Sequence, residues 1–264
     1  MDKKTGVKKE IIFFGNGPLA EYALAVLATE CQIVFHAKTK EDLAKVAELK
    51  HAKPSLYGVL ASFGVLIPQD LLDLFEPEGI LNIHPSLLPK YRGASPIESA
   101  ILAGDNEFSV SVMKLVKAMD AGPIYYQATL NDLPLKKDEI YRALAETGAD
   151  WIVKNLGCLP EPTPQSSEAT FCGKFDKTMS FLTPDKDSAD TILRKIIAFQ
   201  GYPKPKYAFY GQNCIILDAY VLKMGEKADL TMKCADGALV AVKKLQPEGR
   251  KAMDAKSFIN GYAR

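Results

Sequence analysis

Asn82 and His84 stand two residues apart in the largely apolar segment Gly79-Ile80-Leu81-Asn82-Ile83-His84. On a strand, side chains at i and i+2 project from the same face, so this spacing puts an amide and an imidazole into one site. The imidazole can take or give a proton near neutral pH, and the amide N–H can donate to an oxygen on which negative charge develops. Such a pair suits transfer of an acyl-type group. The blander explanation, polar residues satisfying backbone groups at a strand end, serves for either residue alone but poorly for the two together. Asp120, in the tight stretch Asp120-Ala121-Gly122-Pro123, reads on spacing as a turn carboxylate, and spacing alone does not bring it to His84. His36 and His51 lie among lysines and read as exposed.

These side chains need a scaffold. Ile11 to Phe14 is a continuous apolar run that ends at Gly15-Asn16-Gly17-Pro18 and is followed by Ala20, Ala23, Leu24 and Leu27 at helical spacing. The pattern predicts a buried strand, a turn and a helix. Ile33 to Phe35 predicts a second strand, Leu43 to Leu49 a helix, Leu56 to Ala61 a third strand and Gln69 to Phe75 another helix. Alternation of this kind builds a parallel sheet, whose ligands bind beyond the carboxyl ends of the strands, here at the loop Pro85 to Pro89. Ser95 to Ala103 then reads as a helix, Ser109 to Val116 and Ile124 to Thr129 as two strands, and Glu139 to Lys154 as a covering helix. Three prolines between Pro160 and Gln165, and a polar, irregular composition up to about Ala189, read as linker. A short helix from Thr191 to Phe199 leads into strand-like pieces spaced by Gly211, Gly225 and Gly237, as in a small barrel.

With 264 residues, 47% of them hydrophobic, the chain can bury one substantial core and a second, smaller one. Thirty-three basic against 32 acidic residues argue against wholesale non-specific nucleic-acid binding while permitting a local basic patch. Five scattered cysteines without a C-x-x-C pair suggest neither a disulfide framework nor a zinc site. The lysine-rich start, Met1 to Glu10, reads as a frayed terminus, and no secretory leader or membrane-spanning run is apparent, so a soluble, cytoplasmic protein is expected. The rival motif is Gly15-Asn16-Gly17-Pro18-Leu19-Ala20, which fits a relaxed dinucleotide fingerprint. The following strand ends in His36-Ala37-Lys38 rather than in an acidic residue for a ribose, and Pro18 constrains the turn, so a structural glycine turn is preferred.

The run Asn82-Ile83-His84-Pro85-Ser86-Leu87-Leu88-Pro89-Lys90-Tyr91-Arg92-Gly93 resembles the signature of the folate-dependent formyltransferases. Ala61-Ser62-Phe63-Gly64-Val65-Leu66-Ile67-Pro68 resembles that family's pteridine-pocket segment, and Ala118-Met119-Asp120-Ala121-Gly122 the loop with its catalytic aspartate. Ser95-Pro96-Ile97-Glu98, Ala103-Gly104-Asp105 and the tail Leu245-Gln246-Pro247-Glu248-Gly249-Arg250-Lys251-Ala252-Met253 are similar to the branch acting on initiator methionyl-tRNA. The resemblance runs with gaps from about Glu10 to the C-terminus. It implies an α/β fold: a Rossmann-like catalytic domain over residues 1–180, a linker and short helix over 181–203, and a small OB-like β-barrel domain over 204–264.

The resemblance further implies that His84 and Asp120 handle protons, that Asn82 donates to the formyl oxygen, and that 10-formyltetrahydrofolate is the formyl donor. The folate is expected along Ser86, Leu87, Leu88 and Pro89, with the backbone of Phe63, Gly64, Val65, Leu66 and Ile67 meeting its pteridine. The implied partners are initiator methionyl-tRNA and reduced folate, with no metal and no membrane, and the chain is expected to be a monomer. The alternative acceptor is an amino-sugar nucleotide; glycinamide ribonucleotide is disfavoured by the second domain. From other classes, a nicotinamide-dependent enzyme and a non-catalytic RNA-binding protein remain as rivals. One departure stands out, because many members of the tRNA branch carry a long basic loop after the first helix, for which Cys31 to Asp42 leaves no room. The positive charge left for phosphates is Lys38, Lys40, Lys90, Arg92, Lys204, Lys206, Lys243, Lys244, Arg250 and Lys251.

Overall fold

Ile11, Ile12, Phe13 and Phe14 are all fully buried in the computed structural model, which describes residues 8–263. A run buried at every position needs cover on both faces, and the first half of the chain supplies it. The elements are β1 (Lys9–Phe14), α1 (Pro18–Glu30), β2 (Cys31–Ala37), α2 (Asp42–Ala52), β3 (Tyr57–Leu60), α3 (Gln69–Asp73) and β4 (Ile80–His84). They continue with β5 (Arg92–Gly93), α4 (Pro96–Ala103), β6 (Phe108–Lys114), β7 (Ile124–Leu130), α5 (Lys137–Asn155) and β8 (Phe171–Cys172). Lys9 and Glu10 already belong to β1, and Lys8 Nζ donates to the Thr29 carbonyl, so the lysine-rich start is ordered there; residues 1–7 of the segment expected to fray lie outside the described residues.

Six strands form one sheet in the order β2-β1-β3-β4-β6-β7. β2, β1, β3 and β4 are parallel, as the alternation of elements predicts, whereas β6 and β7 run antiparallel. β6 is antiparallel to both its neighbours: the chain comes back alongside β4 in the opposite sense after α4, and the loop from β6 to β7 reverses it again. Ile12 and Phe14 pack with Val46 of α2, Leu71 and Leu72 of α3 and Ile80 of β4 on one face. Ile83, pointing to the other face, meets α5 at Gly148: a Cβ built on that glycine would lie 2.8 Å from Ile83 Cγ2 and 3.3 Å from Val110 Cγ2. The glycine lets α5 press on β4 directly behind Asn82 and His84.

The chain divides into two compact units, residues 8–97 with 106–173, and residues 98–105 with 174–263. The first unit therefore closes at Gly173, not at residue 180. The expected linker is also no linker along most of its length. Thr163 bridges to Ile124, and β8 pairs with β5, so residues 163–172 are built into the first unit. In the second unit, α6 (Ala189–Ala198) starts at Ser188, whose hydroxyl accepts from Thr191 N–H at 3.2 Å. Ile192 and Ile196 of α6 pack into the core with Ile216, Val240, Val242, Leu245 and Phe258, so the helix read as part of a linker belongs to the second unit's core. That core lies on β9 (Lys206–Phe209), β10 (Gln212–Val221), β11 (Thr231–Lys233), β12 (Leu239–Pro247) and β13 (Met253–Asp254), with α7 (Ala255–Tyr262) at the end. The strands are ordered β11-β12-β10-β9 with β13 on β12, an antiparallel half-barrel in keeping with the small barrel-like domain expected.

Gly148→Leu tests the close approach behind the site. Glycine normally disfavours a helix, so relief of that penalty would stabilise α5 by about 1 kcal/mol. The contact with Ile83 reverses the sign, and a loss of about 1–3 kcal/mol is expected in urea unfolding. An unchanged or raised midpoint would show that α5 does not need to sit this close.

Candidate active site

β4 is five residues long and buried along its whole length, and its alternation sets the site. Ile80, Asn82 and His84 share one face, and Ile83 anchors the opposite one. Asn82 and His84 are each 5% exposed. The Asn82 amide has no hydrogen-bond partner among the described residues, yet its polar atoms are not sealed from solvent. A buried amide left in this state is free to bind something that is not part of the chain.

His84 is held by one specific contact. Its Nε2 lies 3.0 Å from the Tyr91 carbonyl oxygen. A carbonyl only accepts, so Nε2 carries the hydrogen and donates it, which leaves Nδ1 as the basic nitrogen of the neutral ring. Nδ1 faces Asp120 Oδ1 at 3.7 Å, a distance that makes an ion pair only when the ring is protonated. Burial pushes the His84 pKa below the ordinary imidazole value, against the opposing pull of the Asp120 carboxylate and the Tyr91 hydrogen bond. At neutral pH the ring is therefore neutral, with an open lone pair beside a carboxylate able to stabilise the imidazolium once a proton arrives.

Asp120 reaches this position from the loop between β6 and β7. Its φ of 47° lies in the left-handed region, which aspartate tolerates better than most residues. Its second oxygen, Oδ2, accepts from Gly93 N–H at 2.8 Å. Gly93 must be glycine, because its φ is 123° and a Cβ there would lie 2.1 Å from the Cys172 carbonyl oxygen.

The loop after β4 is held from below. Ser111 Oγ, fully buried on β6, donates to the Ser86 carbonyl at 2.7 Å and accepts from Leu88 N–H at 3.1 Å and Gln127 Nε2 at 3.0 Å. One donor and two lone pairs are thus all used. Gln127 Nε2 also donates to the Leu88 carbonyl at 2.9 Å, and Ser86 Oγ to that of Lys90 at 2.6 Å. Thr170 completes the frame, its hydroxyl accepting from Tyr91 N–H at 2.9 Å.

The structure thus brings Asn82, His84 and Asp120 into one region and sorts the other expected residues by exposure. Leu88, Phe63 and Ile67 are turned into the interior, so only their backbone remains to meet a ligand. Leu66 and Leu87 are exposed at 74% and 45%, and nothing lies within 4 Å of a Cβ built on Gly64, so that loop borders open space. Sequence reasoning missed Ser111, Gln127, Thr170 and Gln165, polar residues that become legible only through their partners. His36, expected to be exposed, is half-buried with Nε2 2.8 Å from the Gly15 carbonyl. That contact closes the Gly15-Asn16-Gly17 turn, and a Cβ on Gly15 would lie 1.9 Å from the Ala61 carbonyl oxygen, so its glycine serves chain packing. Among the described residues no group of three or more His, Cys, Asp or Glu could hold a metal ion.

Residues 16–156, more than half the chain, match the formyl transferase family, and residues 176–263 match the formyl transferase C-terminal domain. A methionyl-tRNA formyltransferase of Thermus thermophilus is 34% identical over 261 residues, covering 93% of this chain and 82% of that one. Among solved structures, methionyl-tRNA formyltransferase from Clostridium thermocellum has a TM-score of 0.66 at 19% identity, covering 94% of this chain and 100% of that one. HypX from Aquifex aeolicus in complex with tetrahydrofolic acid has a TM-score of 0.73 at 18% identity, covering 97% of this chain and 47% of that one. This chain spans about half the length of HypX, and both structural likenesses are likenesses of fold.

Because His84 titrates below a free imidazole in the folded chain, the unfolded chain binds more protons in the window beneath the unfolded value of about 6.5. The contribution is fully present above that value and is lost as pH falls through the folded value. His84→Gln removes it. Urea unfolding of wild type and His84→Gln between about pH 7.5 and about pH 5 should show the wild type losing stability more steeply. Parallel pH curves would mean the ring is not held neutral.

Proposed function

The chain belongs to the formyl transferase family, and on that premise we propose that it moves the formyl group of 10-formyltetrahydrofolate to the α-amino group of initiator methionyl-tRNA. The observation that carries the reading is the neutral His84 with its Nδ1 lone pair facing Asp120, on the same face as the unpartnered Asn82 amide. Attack by the amine nitrogen forms a bond to the formyl carbon, and the bond from that carbon to folate N10 breaks. His84 Nδ1 takes the proton the amine must lose, Asp120 steadies the resulting imidazolium, and the Asn82 N–H donates to the oxygen as it becomes negative. The proton then leaves His84 for N10, which restores the neutral ring.

The folate would lie along the Ser86–Pro89 loop, with the exposed Leu87 and Leu66 as apolar contacts and the backbone around Phe63 to Ile67 offering polar ones. The acceptor is assigned from the relatives named methionyl-tRNA formyltransferase, whose likeness extends through the second unit. Between β2 and α2 the chain has only residues 38–41, and the Lys38 and Thr39 N–H groups both donate to Asp42 Oδ2 at 2.7 and 2.9 Å. A turn this tight holds no long basic insertion. That favours, as second reading, a smaller amine such as an amino-sugar nucleotide. The same account takes the enzyme as a cytoplasmic monomer; no helix among the described residues is long and apolar enough to cross a membrane.

Incubation with 10-formyltetrahydrofolate and charged initiator methionyl-tRNA should yield the formyl-methionyl ester, and uncharged tRNA should yield nothing. His84→Ala and Asp120→Asn should each lower turnover by about 10²- to 10⁴-fold while folate binding persists. Folate binding without product on methionyl-tRNA would transfer the assignment to the amino-sugar acceptor, and full turnover in either variant would overturn the roles given to these residues.

A further inference from the structure

Gln165 lies in the Pro160–Gln165 stretch whose composition reads as linker, and nothing in the signature segments points to it. In the folded chain its side-chain amide is fully engaged. Nε2 donates to the Asp120 carbonyl at 2.8 Å and to the Gly122 carbonyl at 2.7 Å. Oε1 accepts from Arg92 Nε at 3.0 Å and Arg92 Nη2 at 2.6 Å. The orientation of the amide is not a free choice, because two carbonyls can only accept and a guanidinium can only donate. Oxygen must face Arg92 and nitrogen must face the loop.

The contacts form a closed ring of partners. Gln165 grips the backbone on either side of Ala121 and is itself gripped by Arg92; the next residue, Gly93, donates its N–H to Asp120 Oδ2. Asp120 is therefore fixed at both its backbone and its carboxylate, in a left-handed conformation that the loop would otherwise hold weakly. Arg92, counted among the charges free for phosphate, is spent here on Gln165. From this ring we infer that Gln165, braced by Arg92, is a positioning residue that holds the Asp120 carboxylate against His84 Nδ1. No part of Gln165 needs to touch a substrate for this. It acts by keeping the carboxylate where an imidazolium would form, and a displacement of about 1 Å at such a group can cost on the order of 10²-fold in rate.

Gln165→Met keeps the length and shape of the side chain and removes its hydrogen bonds to Arg92, Asp120 and Gly122. The chain has three histidines, so the imidazole signals can be followed individually by NMR as pH is varied. In the wild type the Asp120 carboxylate raises the His84 pKa against the effect of burial, and no other charged side chain among the described residues shifts it. Releasing Asp120 should lower the His84 midpoint. In the transfer assay kcat should fall about 10- to 100-fold, with little change in folate KM. The kinetic half rests on the function proposed above, whereas the titration does not: a wild type inactive on methionyl-tRNA would sink that function and leave the His84 midpoint to decide on Gln165. An unmoved His84 midpoint overturns the inference, even with a fall in kcat, since the residue would then be no more than structural. Should Gln165→Met fail to fold, Gln165→Asn, which is too short to reach both sets of partners, carries the same two expectations.

Discussion

The hydrogen bond from His84 Nε2 to the Tyr91 carbonyl decides what the rest of the site can do. It commits the ring hydrogen to one nitrogen and so delivers the other, Nδ1, as a base. Burial keeps that base unprotonated at neutral pH, and Asp120 waits at 3.7 Å to compensate the charge once a proton is taken. Without the Tyr91 contact the ring could turn or change tautomer, and the carboxylate would face an N–H instead of a lone pair. A base that is neutral at rest and stabilised when charged is what acyl transfer from or to an amine needs.

The scaffold can be understood as a set of restraints on those few atoms. β4 aims Asn82 and His84 to one side because its alternation leaves no other option, and Gly148 lets α5 clamp the reverse side through Ile83. Ser111 and Gln127, on the antiparallel strands, fix the loop after β4 by its backbone. Residues 163–172 run alongside β5 and hold Tyr91 and Arg92 in place, so a segment with little regular structure fixes the very carbonyl that orients His84. Rigid strands supply direction and an irregular segment supplies the final restraint, a division common where a site must be pre-organised.

Asn82 and His84 could be read from the sequence because the period-two rule is local and their polarity interrupts an apolar strand. The buried run at β1 and the helix α5 were legible for the same reason, each following from a pattern within a few turns or residues. Asp120 was not legible from spacing, since its meeting with His84 joins a strand end to a loop three elements further on; only the likeness of its surroundings to a known signature suggested a role. Gln165 gave no signal at all. A lone amide in a proline-rich stretch has the composition of a linker, and its value lies in the hydrogen bonds to Arg92, Asp120 and Gly122 that folding brings to it. The reversed direction of β6 escaped for a related reason, because alternation of polar and apolar residues along a strand says nothing about its direction. The helix α6 was placed correctly along the chain but assigned to a linker, since its apolar face could not be matched to a core before the core was known.

The chemistry of the site turns on the tautomer of His84, and isotope-labelled imidazole nitrogen shifts measure it directly at neutral pH in the intact protein. A neutral ring with the proton on Nε2 and a bare Nδ1 is expected. A ring protonated on Nδ1, or one exchanging evenly between the two forms, would contradict it.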